Sequence, residues 1–154
     1  MICIDKLCDN TEKSNITNHI LRKLPEWFGI EESILEYVEE VKNTEFYVAY
    51  VNDNPVGFIS IKHNNEFTLE VYLIGVLREY HNQHIGKKLL QKVQEEMANK
   101  DVKYIMVKTL GESHPDKNYK KTRTFYVNNG FYPLEERKEI WGKENPCLLM
   151  VKSI

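Results

Sequence analysis

Apolar and polar positions change period several times along the chain, and each change marks an element. Ile2-Cys-Ile-Asp-Lys-Leu7 alternates and predicts a first strand. Ile16, Ile20, Leu21 and Leu24 then recur at helical spacing, with Ser14 placed to cap that helix and Pro25 closing it. A second helix is predicted over 31–42, where Ile34, Tyr37, Val38 and Val41 share one side. Trp27, Phe28 and Gly29 connect the two helices, and the two aromatics read either as a lid on the core or as substrate contacts. Strand-favouring runs at 46–51 and 56–61 flank Asn52-Asp53-Asn54-Pro55 and predict a hairpin. A third run, 67–76, completes an antiparallel meander, and Gly75 inside it predicts a bulge or a close approach by another backbone.

Helical spacing returns with Ile85, Leu89, Leu90, Val93 and Met97, followed by a strand at 104–109. A strand–helix–strand connection implies that this strand runs parallel to the third. Residues 110–118 form a long loop, a favoured place for function. The next helix, about 119–129, is stopped by Gly130 with Phe131 just beyond. Runs at 131–135, 138–141 and 147–152 supply closing strands, the last two joined by the turn Gly142-Lys-Glu-Asn-Pro146. The mixture of strands and helices is that of an α/β fold, and 154 residues without repeat or linker predict a single domain over 1–154.

Composition narrows the classes. With 42% hydrophobic and 29% charged residues the chain is an ordinary globular one, and a formal net charge of -2 argues against general nucleic-acid binding. No apolar run approaches a membrane span, and the first residues carry no basic region followed by an apolar stretch. Cys3, Cys8 and Cys147 fit neither a disulfide framework nor a metal-ligand spacing. No metal site and a reducing cytoplasm are therefore expected.

The candidate chemistry begins where the helix at 85–97 starts. Between His81 and Lys92 there is no acidic residue, Lys87 and Lys88 occupy the end of the helix that disfavours cations, and no Ser, Thr or Asp stands immediately before it. Open N–H groups with basic neighbours and a glycine suit a phosphate or other anion. The same residues also fit a solvated basic turn capped by Asn82 or by water.

Val76-Leu-Arg-Glu-Tyr80-His81-Asn82-Gln83-His84-Ile85-Gly86-Lys-Lys-Leu89-Leu90 resembles the acyl-CoA-binding segment of the GNAT superfamily of N-acetyltransferases, Arg/Gln-x-x-Gly-x-Gly/Ala after a strand. The resemblance implies that His81, Asn82, Gln83, His84, Ile85, Gly86 and Lys87 hold the pyrophosphate of coenzyme A, and that Ile74 and Val76 line its pantetheine arm. His81 stands where Arg or Gln is usual, and His84 where the first Gly is usual. Tyr119-Lys-Lys-Thr122-Arg123-Thr-Phe125-Tyr126-Val-Asn-Asn-Gly130-Phe131 resembles the later family segment Asn-x-x-Ala-x-x-Phe-Tyr-x-x-x-Gly-Phe, which implies that Tyr126 is the general acid beside the sulfur. Tyr119 occupies the usual Asn position, with Asn118 one residue earlier, and both are candidate cofactor contacts. A leaving thiolate needs a donor still protonated at neutral pH, and a phenol, ordinarily near a pKa of about 10, is one. Phe125 reads as core.

A base is needed as well, because a protonated amine cannot attack a thioester. Glu70 interrupts an apolar run six residues before Val76 and shares a strand face with Tyr72 and Ile74 if alternation holds. The histone-acetylating branch of the superfamily is similar in this spacing, which implies a Glu base; a merely solvated Glu70 is the alternative, and His63 and His114 are other candidates. Partial burial or a water relay would be required for Glu70 to act. Lys117, Lys120, Lys121 and Arg123 crowd one stretch and either meet the 3′-phosphate of coenzyme A or form a solvated helix face.

Together these features predict a single-domain α/β fold of GNAT type, with a central mixed sheet flanked by about four helices. The sheet is splayed where the third strand meets the strand at Tyr104, and acetyl-CoA, the co-substrate, lies in the opening. The implied reaction is direct acetyl transfer to a primary amine of a small molecule, with backbone N–H donors near residues 73–76 meeting the oxyanion. A protein Lys or N-terminal acetyltransferase and a non-catalytic acyl-CoA-binding module are the alternatives. A bacterial cytoplasmic enzyme, monomeric or homodimeric, without nucleic-acid or membrane partners, is expected.

Overall fold

In the computed structural model, which describes residues 1–154, elements follow the changes of period closely. They are β1 (Ile2–Lys6), α1 (Asn10–Leu21), α2 (Glu31–Glu40), β2 (Glu45–Val51), β3 (Asn54–His63), β4 (Thr68–Val76), α3 (Ile85–Glu96), β5 (Tyr104–Leu110), α4 (Lys117–Asn128), β6 (Tyr132–Arg137), the short α5 (Lys138–Trp141) and β7 (Cys147–Ser153). The strands form one mixed sheet in the order β1-β2-β3-β4-β5-β7-β6. β4 and β5 run parallel, as their helical connection requires, and share register over Thr68–Val71 and residues 104–107. Residues 72–76 of β4 and 108–110 of β5 lie beyond that register. The pairings β1–β2, β2–β3, β5–β7 and β7–β6 are antiparallel. By contacts along the chain, the fold divides into residues 1–62 with 72–100, and residues 63–71 with 101–154.

In the first unit β2 and β3 are buried on both faces, and the rings of Phe46 and Phe58 stack at 5.1 Å. The hairpin turns on Asn52 and Asp53 alone, both at positive φ (50° and 65°), the geometry that two-residue hairpin loops favour. Pro55, expected in the turn, belongs to β3 and sits opposite Tyr50 where the register shifts, a position that tolerates a missing N–H. At Gly75 the room for a Cβ is taken by Phe58 and Ile20 at 3.2 and 3.3 Å, while its carbonyl oxygen stands 3.2 Å from where a Cβ of Gly57 would be. Close approach is thus the reason for this glycine. The apolar stripe of α3, Ile85, Leu89, Leu90 and Val93, packs on β1 and β2.

The first helix starts earlier than its apolar period. Asp9 caps it, accepting from the Glu12 amide at 3.1 Å, and Ser14, expected as the cap, lies inside the helix and donates to the Val38 carbonyl. The reason is that the buried side of α1 opens with Lys13, Ser14 and Thr17, which carry no apolar signal. Lys13 can be buried because its ammonium donates to the Thr44 carbonyl at 2.7 Å.

The core of the second unit includes Leu69, Ile105, Val107, Phe131, Cys147 and Met150. Here α4 begins two residues earlier than expected, because the Asp116 side chain accepts from the amides of Asn118 (2.8 Å) and Tyr119 (3.2 Å). Residues 138–141 form a helical turn instead of the expected strand, and the run before them extends to Arg137 as β6. All six residues of β6 are exposed, so burial imposes no period for the sequence to record there.

Candidate active site

The start of α3 is open. Its N-cap residue, His84, is left-handed at φ 62°, Asn82 is left-handed at φ 63°, and no side chain caps the helix. Asn82, one alternative for that cap, does not supply it. The first helical bond runs from the Lys88 amide to the His84 carbonyl at 3.0 Å, so the amides of Ile85, Gly86 and Lys87 precede the intrahelical ladder. No acidic residue lies in the first turn. Amides freed in this way, at the positive end of the helix dipole and behind alternating left-handed residues, are donors suited to an anion.

Side chains of the loop hold its shape. His81, a candidate donor to coenzyme A, uses Nε2–H to donate to the Val76 carbonyl at 2.7 Å, and its ring meets Trp27 edge-on at 5.8 Å. Gln83 donates to the Glu79 carbonyl at 3.3 Å, and Arg78 pairs with Glu26. Ile85 is buried, so only its backbone is available to a ligand, whereas Asn82, Gln83, His84 and Lys87 are exposed and Gly86 is half-buried. Ile74 and Val76 are half-buried, alternating along β4 with buried Leu73 and Gly75. Trp27 and Phe28 are half-buried too, and Phe28 meets Tyr37 edge-on at 6.0 Å.

In the second unit the end of α4 fixes Tyr126. The Phe131 amide donates to the Tyr126 carbonyl at 3.0 Å and the Gly130 amide to the Val127 carbonyl at 3.1 Å, with Gly130 at φ 90°, a Schellman ending. The apolar contact that accompanies this motif is the Tyr126–Phe131 ring pair, 5.3 Å between centroids. Tyr126 is 2% exposed, while Phe125, read as core, is only half-buried. Burial, and after it the neighbouring Tyr119, pushes the Tyr126 phenol above its ordinary value, so it keeps its proton throughout the neutral range. Asn118 and Tyr119 are half-buried in the first turn of α4.

Glu70 is 9% exposed. The Asn64 amide donates to its Oε1 at 3.2 Å, and the Lys108 ammonium lies 3.6 Å from its Oε2. The parallel register sets Glu70 beside Met106, and Lys108 follows two residues later on the same side of β5. The Cys147 thiol senses both charges: burial pushes it up, Lys108 opposes the shift and Glu70 adds to it. Sequence reasoning missed Asn64 and Lys108, because Asn64 reaches Glu70 from the loop after β3 and Lys108 through parallel register, and neither leaves a local signal.

Arg123 is also buried and donates to the Leu110 carbonyl at 2.6 Å, which ties α4 to β5 and separates this residue from the exposed Lys117, Lys120 and Lys121. His114 lines a cleft of about 490 Å³ with Glu112, Asp116, Lys117, Lys120 and Arg123. His63 is exposed at the end of β3.

No curated protein matches the chain in sequence. Among solved structures it is similar to an aminoglycoside 6′-N-acetyltransferase complexed with coenzyme A, at 20% identity and TM-score 0.76 over 98% of this chain and 96% of that one. It is likewise similar to a GNAT family acetyltransferase from Elizabethkingia anophelis with acetyl-CoA bound, at 22% identity and TM-score 0.72 over 99% and 98% of the two chains. The ribosomal-protein-S18-alanine N-acetyltransferase from Escherichia coli aligns over 100% of this chain and 94% of its own at 15% identity and TM-score 0.78. At such identities the likeness is one of fold. The family model for the acetyltransferase (GNAT) domain matches residues 42–133, well over half of the chain and both segments described above. The chain belongs to the GNAT acetyltransferase family.

Proposed function

We propose that the protein transfers an acetyl group from acetyl-CoA to a primary amine of a small molecule by direct attack, with residues 1–154 working as one domain. The observation that carries this reading is the uncapped, acid-free start of α3 behind left-handed Asn82 and His84. The coenzyme A and acetyl-CoA bound in two structures of the same fold support the donor.

In this reading the amides of residues 82–87 bind the pyrophosphate, with Lys87 as electrostatic support, while the His81 amide is held by the Arg78 carbonyl and its ring pins the loop to Val76. Ile74 and Val76 offer apolar surface to the pantetheine arm, and Asn118 and Tyr119 are further contacts. Glu70 takes the amine proton, directly or through water. The nitrogen lone pair then forms the N–C bond, the C–S bond breaks, Tyr126 gives its proton to the departing sulfur, and the second proton on the acylated nitrogen leaves through water to restore the phenol. A phenol held protonated by burial fits that task.

No helix is long and apolar enough to cross a membrane. We take the enzyme to act in a bacterial cytoplasm as a monomer or homodimer. The fold shared with the E. coli ribosomal-protein enzyme supports a second reading, acetylation of a protein amine. Incubation with acetyl-CoA and pooled small amines or peptides, followed by free thiol and mass analysis of products, tests both. Thiol release with small amines is expected; release only with peptides favours the second reading. No release with either pool leaves a non-catalytic acyl-CoA-binding module.

A further inference from the structure

Glu70 and Lys108 form a built pair of opposite charges. The Glu70 carboxylate is almost wholly buried and is held on its other oxygen by Asn64. The Lys108 side chain is 36% exposed, and its ammonium stands 3.6 Å from Oε2, longer than the 2.7–2.9 Å or so of a fully formed charge-assisted hydrogen bond. Its three donors are therefore only loosely engaged, and it is accessible to a ligand that reaches Glu70.

This arrangement discriminates among amines. An acceptor ammonium drawn to Glu70 arrives beside a second ammonium, so a further cation on the acceptor meets repulsion there. An anionic group carried close to the acceptor nitrogen meets the Lys108 donors instead, while the nitrogen faces Glu70. Discrimination of this kind combines attraction for one ligand with repulsion of its competitor. Resting on Glu70 as the acceptor-side group of the proposed reaction, we propose that Lys108 is a specificity-determining residue. The acceptor it selects is an amine with a neighbouring carboxylate or comparable anion, of the amino-acid class, and not a polycation.

Matched acceptors test this: free α-amino acids, their carboxamides, the corresponding decarboxylated amines, and polycationic aminoglycosides, each assayed by thiol release from acetyl-CoA. The acids should exceed their amides and decarboxylated counterparts by about tenfold or more in kcat/KM, the scale of one hydrogen-bonded charge. Lys108→Met, which keeps the apolar stem, should erase that preference and raise turnover of polycations, whereas Lys108→Arg should retain it; thermal unfolding checks that each variant folds. Equal use of acids, amides and amines overturns the proposal while leaving acetyl transfer intact, as does a preference for polycations. A preference unchanged in Lys108→Met overturns it as well. Absence of transfer to any amine removes the proposed function, and this inference with it.

Discussion

Replacing His84 by valine tests the proposed donor loop without altering its charged residues or its amides. His84 sits at φ 62°, where an L side chain costs about 1–2 kcal/mol relative to glycine and a β-branched one fits worst. His84→Val should therefore bias the loop toward extended conformers in which the amides of Ile85, Gly86 and Lys87 no longer converge. If the added strain is about 1–2 kcal/mol, affinity for coenzyme A falls roughly 5- to 30-fold, at about 1.4 kcal/mol per factor of ten. His84→Gly removes the strain but loosens the loop at an entropic cost of about 0.5–1 kcal/mol. Its affinity should stay within roughly fivefold of the parent, using the same conversion. Calorimetric titration of coenzyme A measures both, with thermal unfolding as the control for the fold. A valine variant that stays folded and binds like the parent, or a glycine variant that loses as much affinity as valine, would show that the left-handed backbone at His84 does not hold the coenzyme A site.

Tyr126→Phe keeps the ring that packs on Phe131 and deletes the proton, so kcat should fall about tenfold to a thousandfold with little change in acetyl-CoA affinity, measured by steady-state thiol release. The raised phenol of Tyr126 also links stability to pH. Above a pH of about 10 the unfolded chain loses a proton that the folded one keeps, so stability should fall with rising pH, by at most roughly 1.4 kcal/mol per unit for this group. Urea titrations at rising pH should show a shallower fall in Tyr126→Phe. Gly130→Ala places a Cβ at φ 90° and 3.2 Å from the Lys152 side chain; a loss of about 1–2 kcal/mol should lower Tm by roughly 2–8 °C in calorimetry. Glu70→Gln should reduce kcat/KM by a factor that shrinks as pH rises and free amine becomes abundant, which a pH–rate series will show.

What the sequence records depends on which force sets each residue. The stripe of α3 and the glycine stop of α4 are written in local periodicity and turn chemistry, so both helices and the place of Tyr126 beside Phe131 can be read without coordinates. The start of α1 cannot, because Lys13, Ser14 and Thr17 are buried through hydrogen bonds instead of apolar contact. The turn at residues 138–141 is hidden for a related reason: exposed segments carry no burial pattern. Asn64 and Lys108 reach Glu70 through the loop after β3 and through parallel register, neither of which has a local signature. His84 shows a third case, since it stands where the family pattern has glycine and its left-handed backbone leaves no trace in periodicity.

If the open start of α3 is the donor site, as proposed, a crystal structure with coenzyme A will show it. The pyrophosphate oxygens are expected within hydrogen-bonding distance of the amides of Ile85, Gly86 and Lys87, with His81 still bound to the Val76 carbonyl. A pyrophosphate bound elsewhere, with those amides facing only water, would contradict it.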